Sequence, residues 1–225
     1  MKTKQPLEIN RLEHLNANGV KEVQIKAPNF QTAVFHIKGT APLVIRRFST
    51  KTAGDLIAKM KGGKSSSSKK NREPVNPEEL FNAARYISKE GWDGFNASSI
   101  RNGMIRVCSL VNYKMTLAKM SIFCIQDGWD ASEPQIPLVR IYGEPAIMQT
   151  DIGIVDNGNP CPTFRPAYHN WSAKVKIRWD ADQFSLHDVT NLMARVGVQC
   201  GIGEGRPFSK NSSGMGWGTF EISNT

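Results

Sequence analysis

No stretch of this chain stays apolar for the roughly 18 residues that a membrane-crossing helix needs. The opening residues, MKTKQPLEIN, carry positive charge with no apolar run behind it, so no secretory leader is expected there. Cysteine is scarce. Cys108, Cys124, Cys161 and Cys200 lie far apart and form no Cys-x-x-Cys pair. Zinc sites need clustered ligands and small secreted folds need dense cysteines, so all four are expected as reduced, mostly buried thiols. These absences point to a cytoplasmic protein with no metal, no cofactor and no membrane partner. Acidic residues are also in deficit: 20 Asp and Glu stand against 29 Lys and Arg, a formal charge of +9. A field of that sign favours a polyanionic partner, nucleic acid ahead of an anionic surface.

What is present is ordinary globular material. With 40% hydrophobic and 22% charged residues, the composition excludes a disordered or fibrous chain. Its 225 residues can bury a sizeable core and are read as one domain, residues 1–225. Two insertions interrupt it, a basic flexible one at about 50–75 and another at about 127–170. The first contains GGKSSSSKKNREP, residues 62–74, with no apolar residue to anchor it.

Val20 to Ile45 reads as β structure, with Ala33, Phe35 and Ile37 alternating with Val34, His36 and Lys38. Gly39 to Pro42 breaks it, and Thr52 to Lys61 could form a short helix. Asn76-Pro77-Glu78-Glu79 is a helix start, and Leu80, Ala84 and Ile87 extend that helix towards Gly91. A second helix is predicted from Ser98 or Ser99 to about Asn112, burying Ile100, Met104, Val107 and Val111. Lys119 to Ile125 suits a strand, Gly128 to Pro137 a loop, and Leu138 to Ile154 one or two strands. Asp156 to Pro166, with three prolines, reads as an ordered excursion. Trp171 to Trp179 is the clearest strand, Ser185 with Asp188 caps another helix, and Thr219 to Ile222 is the last strand. Without insertions the order is β-α-β-β-α-β. That is an α+β, ferredoxin-like or RRM-like core, with helices on one sheet face and the other free for a ligand.

Three segments carry chemistry. In the strand KVKIRW, Lys174, Lys176 and Arg178 share the side opposite Val175, Ile177 and Trp179. Three cations cannot face a core unpaired, so this side is either a solvated outer surface or a surface for phosphates. Residues 201–220 are dense in glycine: Gly201, Gly203, Gly205, Gly214, Gly216 and Gly218. Such a loop lets the backbone approach an anion closely, and Arg206 and Lys210 within it favour phosphate contact over a plain hairpin. It is not a dinucleotide fingerprint, since a helix precedes it and a strand follows. The third segment, residues 96–110, places Ser98 and Ser99 before a helix carrying Arg101 and Arg106, a capped helix with a positive end. Arg46, Arg47, Lys59 and Lys61, upstream of the serine-rich loop, join the candidate contacts.

Together these segments resemble the RAMP superfamily, the RNA-binding backbone proteins of CRISPR effector complexes. Ala97-Ser98-Ser99-Ile100-Arg101-Asn102-Gly103-Met104-Ile105-Arg106 is similar to the signature that opens that family's first helix. Gly201-Ile202-Gly203, Arg206 and Gly214-Met215-Gly216 fit its glycine-rich loop between the last helix and last strand. Ala97 stands where the family has glycine, and the loop is longer than usual. The resemblance implies that Ser98, Ser99, Arg101, Arg106, Arg206 and Lys210 lie near a nucleic-acid backbone. It also implies that copies of the chain assemble as a helical homo-oligomer along the strand. Some relatives cut RNA with one aspartate after the first strand, but Lys38 to Gly54 has none, and Asp55 and Asp93 lack a neighbouring histidine or carboxylate. Others use a histidine, and His14, His36, His169 and His187 are scattered.

The leading expectation is therefore a non-catalytic protein that binds single-stranded nucleic acid, RNA first, in a CRISPR complex or as a stand-alone or viral relative. A single-stranded DNA-binding protein of viral replication or recombination, and a RAMP-type endoribonuclease, are the alternatives. Nothing in the sequence reads a 2′-hydroxyl.

Overall fold

The computed structural model describes residues 14–15, 21–22, 25–47, 76–132, 135–154, 160–208 and 214–223. The predicted 52–61 helix, the 62–74 loop, Lys59, Lys61, Asp55 and Lys210 lie outside the described residues. In chain order the strands and helices are β1 (His14–Leu15), β2 (Lys21–Glu22), β3 (Phe30–Gly39), β4 (Leu43–Val44), α1 (Pro77–Ala83), β5 (Tyr86–Ile87), β6 (Asp93–Asn96), α2 (Ser98–Cys108), α3 (Met115–Ser121) and β7 (Ile122–Ile125). Then come β8 (Gly128–Trp129), β9 (Pro137–Arg140), β10 (Pro145–Ile154), β11 (Pro160–Tyr168), β12 (Ser172–Asp180), α4 (Leu186–Arg195) and β13 (Phe220–Ile222).

The central sheet has the order β13-β3-β12-β7, and every neighbouring pair is antiparallel. Helix α2 lies in the chain between β3 and β7, and α4 between β12 and β13. That order and connection is the ferredoxin-like β-α-β-β-α-β unit. Alternation fixes its faces. Phe35, Ile37, Val175, Ile177, Trp179, Ile122 and Phe220 point inward and join one core with Ile100, Met104 and Val107 of α2 and Val189, Leu192 and Met193 of α4. Both helices therefore cover the same side of the sheet.

Helix α4 starts as its sequence dictates. The Ser185 hydroxyl accepts from the Asp188 amide at 3.2 Å, and the Asp188 carboxylate accepts from the Ser185 amide at 3.0 Å. The insertion at 127–170 is not loop alone. Its β8 and β9 complete a second sheet, β5-β6-β9-β8, while β10 and β11 form a long hairpin whose far end pairs with β4. Phe95, Val139, Ile141 and Tyr168 carry these elements into the same core.

Several expectations change. The helix from Asn76 stops at Ala83, and Tyr86 and Ile87 are a strand, because they pair with Gly94 and Asp93. The chain then turns at Gly91, where φ is +86°. Helix α2 ends at Cys108, a short 3-10 turn follows, and Asn112 is left-handed at φ 56°, which leaves Val111 on the surface. The first half of the predicted 119–125 strand is the end of α3. The described part of the proline-rich excursion, from Pro160 on, is strand β11.

Candidate nucleic-acid interface

The outer face of the central sheet is set by register. Across β12 and β3, Lys174 pairs with His36, Lys176 with Val34, Arg178 with Thr32 and Ser172 with Lys38. Across β12 and β7, Arg178 pairs with Phe123 and Lys176 with Ile125. Since Val175, Ile177 and Trp179 are buried, the surface opposite carries Lys38, Lys174, Lys176 and Arg178 together. Lys38, Lys174 and Arg178 are exposed. Carboxylates temper the charge, and Asp180, paired with Phe30, stands at the aromatic end. Asp127 holds Lys176 at 3.1 Å, and Glu221 pairs across from Lys38. The Lys176 pair is half in solvent and worth about 0–1 kcal/mol, so a phosphate can compete for it.

One end of this face is aromatic. The Phe30 and Phe123 rings meet edge to face, 5.7 Å between centroids. The Arg178 guanidinium sits 5.1 Å from the Phe30 centroid and 5.4 Å from that of Phe123. Arg101 packs on Phe123 as well, at 5.5 Å, and is itself fixed by donating to the Ile122 carbonyl at 2.9 Å and to that of Lys119. Phe123 is thus a held ring with cations beside it, while Phe30 is 42% exposed. Rings of this kind offer π-faces to bases of any identity, and the cations beside them suit phosphates.

The remaining candidates fall elsewhere. Ser98 and Ser99 are half-buried in the first turn of α2, in the helical layer behind the sheet. Ala97 offers no side-chain cap, and the Ser98 amide donates instead to the Asn96 side chain at 2.9 Å. Arg106, on the exposed side of α2, lies 4.7 Å from the Phe208 ring and so meets the glycine-rich loop. Burial pushes the Cys200 thiol up, and the nearby guanidiniums of Arg106 and Arg206 oppose that rise.

The loop itself is packed. Gly203 has φ +80°, and a Cβ there would collide with the Val44 carbonyl, while Gly218, at φ +65°, has the Ile202 backbone in the same position. Gly205, at φ +69°, has the Trp217 ring against it. These glycines are required by close approach within the fold. Gly214 and Gly216 also have positive φ, but a Cβ there would meet no described atom within 4 Å. Arg206 donates to the Gly203 carbonyl at 2.7 Å, so its guanidinium braces the loop. Glu204 draws in Arg165 at 2.9 Å and Arg46 at 3.5 Å. Arg47 is partly buried and paired at 3.0 Å with Asp130, which is 1% exposed. Asp93 is held bidentately by Arg85, at 3.0 and 2.7 Å.

The sheet thus gathers Lys174, Lys176 and Arg178, with Arg101 at its edge through Phe123. Arg106 and Arg206 both lie near Cys200, away from this face. Sequence reading passed over Phe30, Phe123 and Lys38. The signal for Lys38 was its alternation with Phe35 and Ile37. For Phe123 it was the period of Ile122-Phe123-Cys124-Ile125, hidden because β7 is only four residues long.

Among the described residues, no cluster of three His, Cys, Asp or Glu could hold a metal ion, and no helix is long and apolar enough to cross a membrane. No protein-family model matches the chain, and no curated protein matches it in sequence. Among solved structures, it is similar to a chain in the cryo-EM structure of the Type III-B Cmr-beta bound to cognate target RNA, with a TM-score of 0.48 and 9% identity. That superposition takes in 87% of this chain and 60% of the other.

Proposed function

We propose that this protein binds single-stranded nucleic acid, RNA in preference to DNA, by laying the strand across the outer face of its central sheet. The observation that carries the reading is one sheet face, not covered by any described helix, that holds Lys38, Lys174, Lys176 and Arg178, with Arg178 paired to Phe123 and set against the Phe30 ring. Cations neutralise the backbone and rings stack on unpaired bases. A duplex hides its base faces and gains only the first term. The reading is of a binding protein, and Asp93, one of the two aspartates weighed for cleavage, is engaged by Arg85.

The proposal extends to membership of the RAMP type, with copies assembling side by side along the strand, in a CRISPR complex or as a stand-alone or viral relative. Two features support this finer reading. The Ala97-Ser98-Ser99 segment opens the first helix of a ferredoxin-like core, and the glycine-rich loop joins the last helix to the last strand. Titration of labelled single-stranded RNA, single-stranded DNA and duplex of equal length tests the polymer preference. Single strands should bind more tightly than duplex, and RNA more tightly than DNA. Equal affinity for duplex would leave charge alone and remove the aromatic part of the site.

A further inference from the structure

At the end of the outer face away from Phe30 and Phe123, the surface deepens into a cleft of about 630 Å³. Its lining includes His36, Lys38, Tyr142, Asn170, Ser172 and Lys174. This size falls within the roughly 300–1,000 Å³ of small-ligand sites. Tyr142 comes from the connection after β9, and two hydrogen bonds of 2.9 Å each join its backbone to Ser172. That bridge continues the sheet beside β12 and puts the Tyr142 side chain on the same face as Ser172 and Lys174. The ring is 41% exposed, and the Arg140 guanidinium backs it at 5.2 Å. A rigid wall stands behind: the Trp171 indole is buried and donates to the Ala41 carbonyl at 2.9 Å. Among the described residues, Lys38 and Lys174 make no ion pair. The carboxylate facing this end is Glu221, across from Lys38.

We infer that this cleft is a nucleotide pocket on the path of the strand, a deepening that rests on the function proposed above. One nucleotide leaves the run of stacked bases and enters it. Its phosphate lies against Lys38 and Lys174, and its base lies on the Tyr142 ring. The Asn170 amide, exposed at the rim, can both donate and accept, so it can distinguish base edges. The chemistry is that of a nucleoside monophosphate unit: an aromatic wall, an amide reader and two ammonium groups in one concave site. Such a pocket would give the protein a fixed register on its strand, which the flat part of the face cannot supply.

The test uses the full chain with short single strands carrying thiouridine, photocrosslinked and mapped by mass spectrometry, alongside affinity measurements. Crosslinks should fall on Tyr142, and Tyr142→Ala should weaken binding roughly 5- to 150-fold, the range of one lost base stack. Tyr142→Phe, which keeps the ring, should lose less affinity than Tyr142→Ala. Asn170→Ala, at an exposed position that leaves folding intact, should bind the four homopolymers with more even affinities. If Tyr142→Ala and Asn170→Ala both behave as the parent while Phe123→Ala weakens binding, the pocket is not used and the flat-face reading stands. If the parent chain binds no single strand at all, both readings fall together.

Discussion

At the scale of single residues, Phe123 does two jobs that mutation can separate. It offers an aromatic face on the sheet, and it is packed by Arg101, Arg178 and Phe30. Phe123→Ala should cost about 1–3 kcal/mol of single-strand binding, the worth of one base stack. Thermal melting should show a smaller loss, because the ring is only partly buried. Equal loss of binding and stability would make it a packing residue. The cysteines answer to burial. Desolvation, with Asp127 nearby, pushes the Cys124 thiol up to about 12, and burial raises those of Cys108 and Cys200 too. Cys124 then holds almost no thiolate near pH 8, and burial encloses Cys108 and Cys200, so alkylation of these three in the folded protein should be slow, and fast in denaturant. Rapid labelling of Cys124 in the native state would contradict the packing around β7 and β12.

At the scale of elements, the glycine-rich loop and the Arg47–Asp130 pair join the central sheet to its additions. Asp130 is buried, accepts from Arg47 at 3.0 Å and caps the Ser132 amide at 3.2 Å. Removing one partner of a buried pair strands the other, so Asp130→Ala should destabilise the fold by about 3–5 kcal/mol, read from denaturant unfolding. Gly203→Val should destabilise as well, since both the positive φ and the Val44 carbonyl forbid it. Full stability in Gly203→Val would show that the loop is a loose clamp.

How far these elements could be read depends on which forces placed them. Strand β12 and helix α4 are legible because alternation, capping and burial all agree in them. Strand β11 was concealed by its prolines. Pro166 turns its carbonyl to the Ile45 amide, so its missing N–H lies on the side away from β10, and Pro160 and Pro162 share that parity. Helix α1 was overextended because Leu80, Ala84 and Ile87 keep helical spacing, while strand pairing to Asp93 and Gly94 decides the outcome at Tyr86 and Ile87. The cations of the site were visible as a pattern along one strand. Their aromatic companions were not, since Phe30, Phe123 and Tyr142 come from three separate segments joined only by pairing.

At the scale of the whole molecule, the formal charge of +9 means little until its distribution is known. Arg47, Arg85 and Arg165 are engaged by interior or half-buried carboxylates, and Arg101 and Arg206 brace the backbone. Among the described residues, the outer sheet face gathers the exposed Lys38, Lys174 and Arg178, and Arg106 stands apart on α2. The central claim is that this face holds the strand. Its most direct test is the affinity for single-stranded RNA across a range of ionic strength, measured for the parent chain and for Lys174→Glu with Lys176→Glu. Both side chains point away from the core, so circular dichroism should not change and melting should shift only by the loss of the Lys176–Asp127 pair. The parent should show a linear fall of log affinity with log salt. The variant should bind more weakly, with a slope shallower by about 0.7 for each phosphate it no longer neutralises. Two superimposable lines, from equally folded proteins, would show that the sheet face is merely solvated and that the strand, if bound, lies elsewhere.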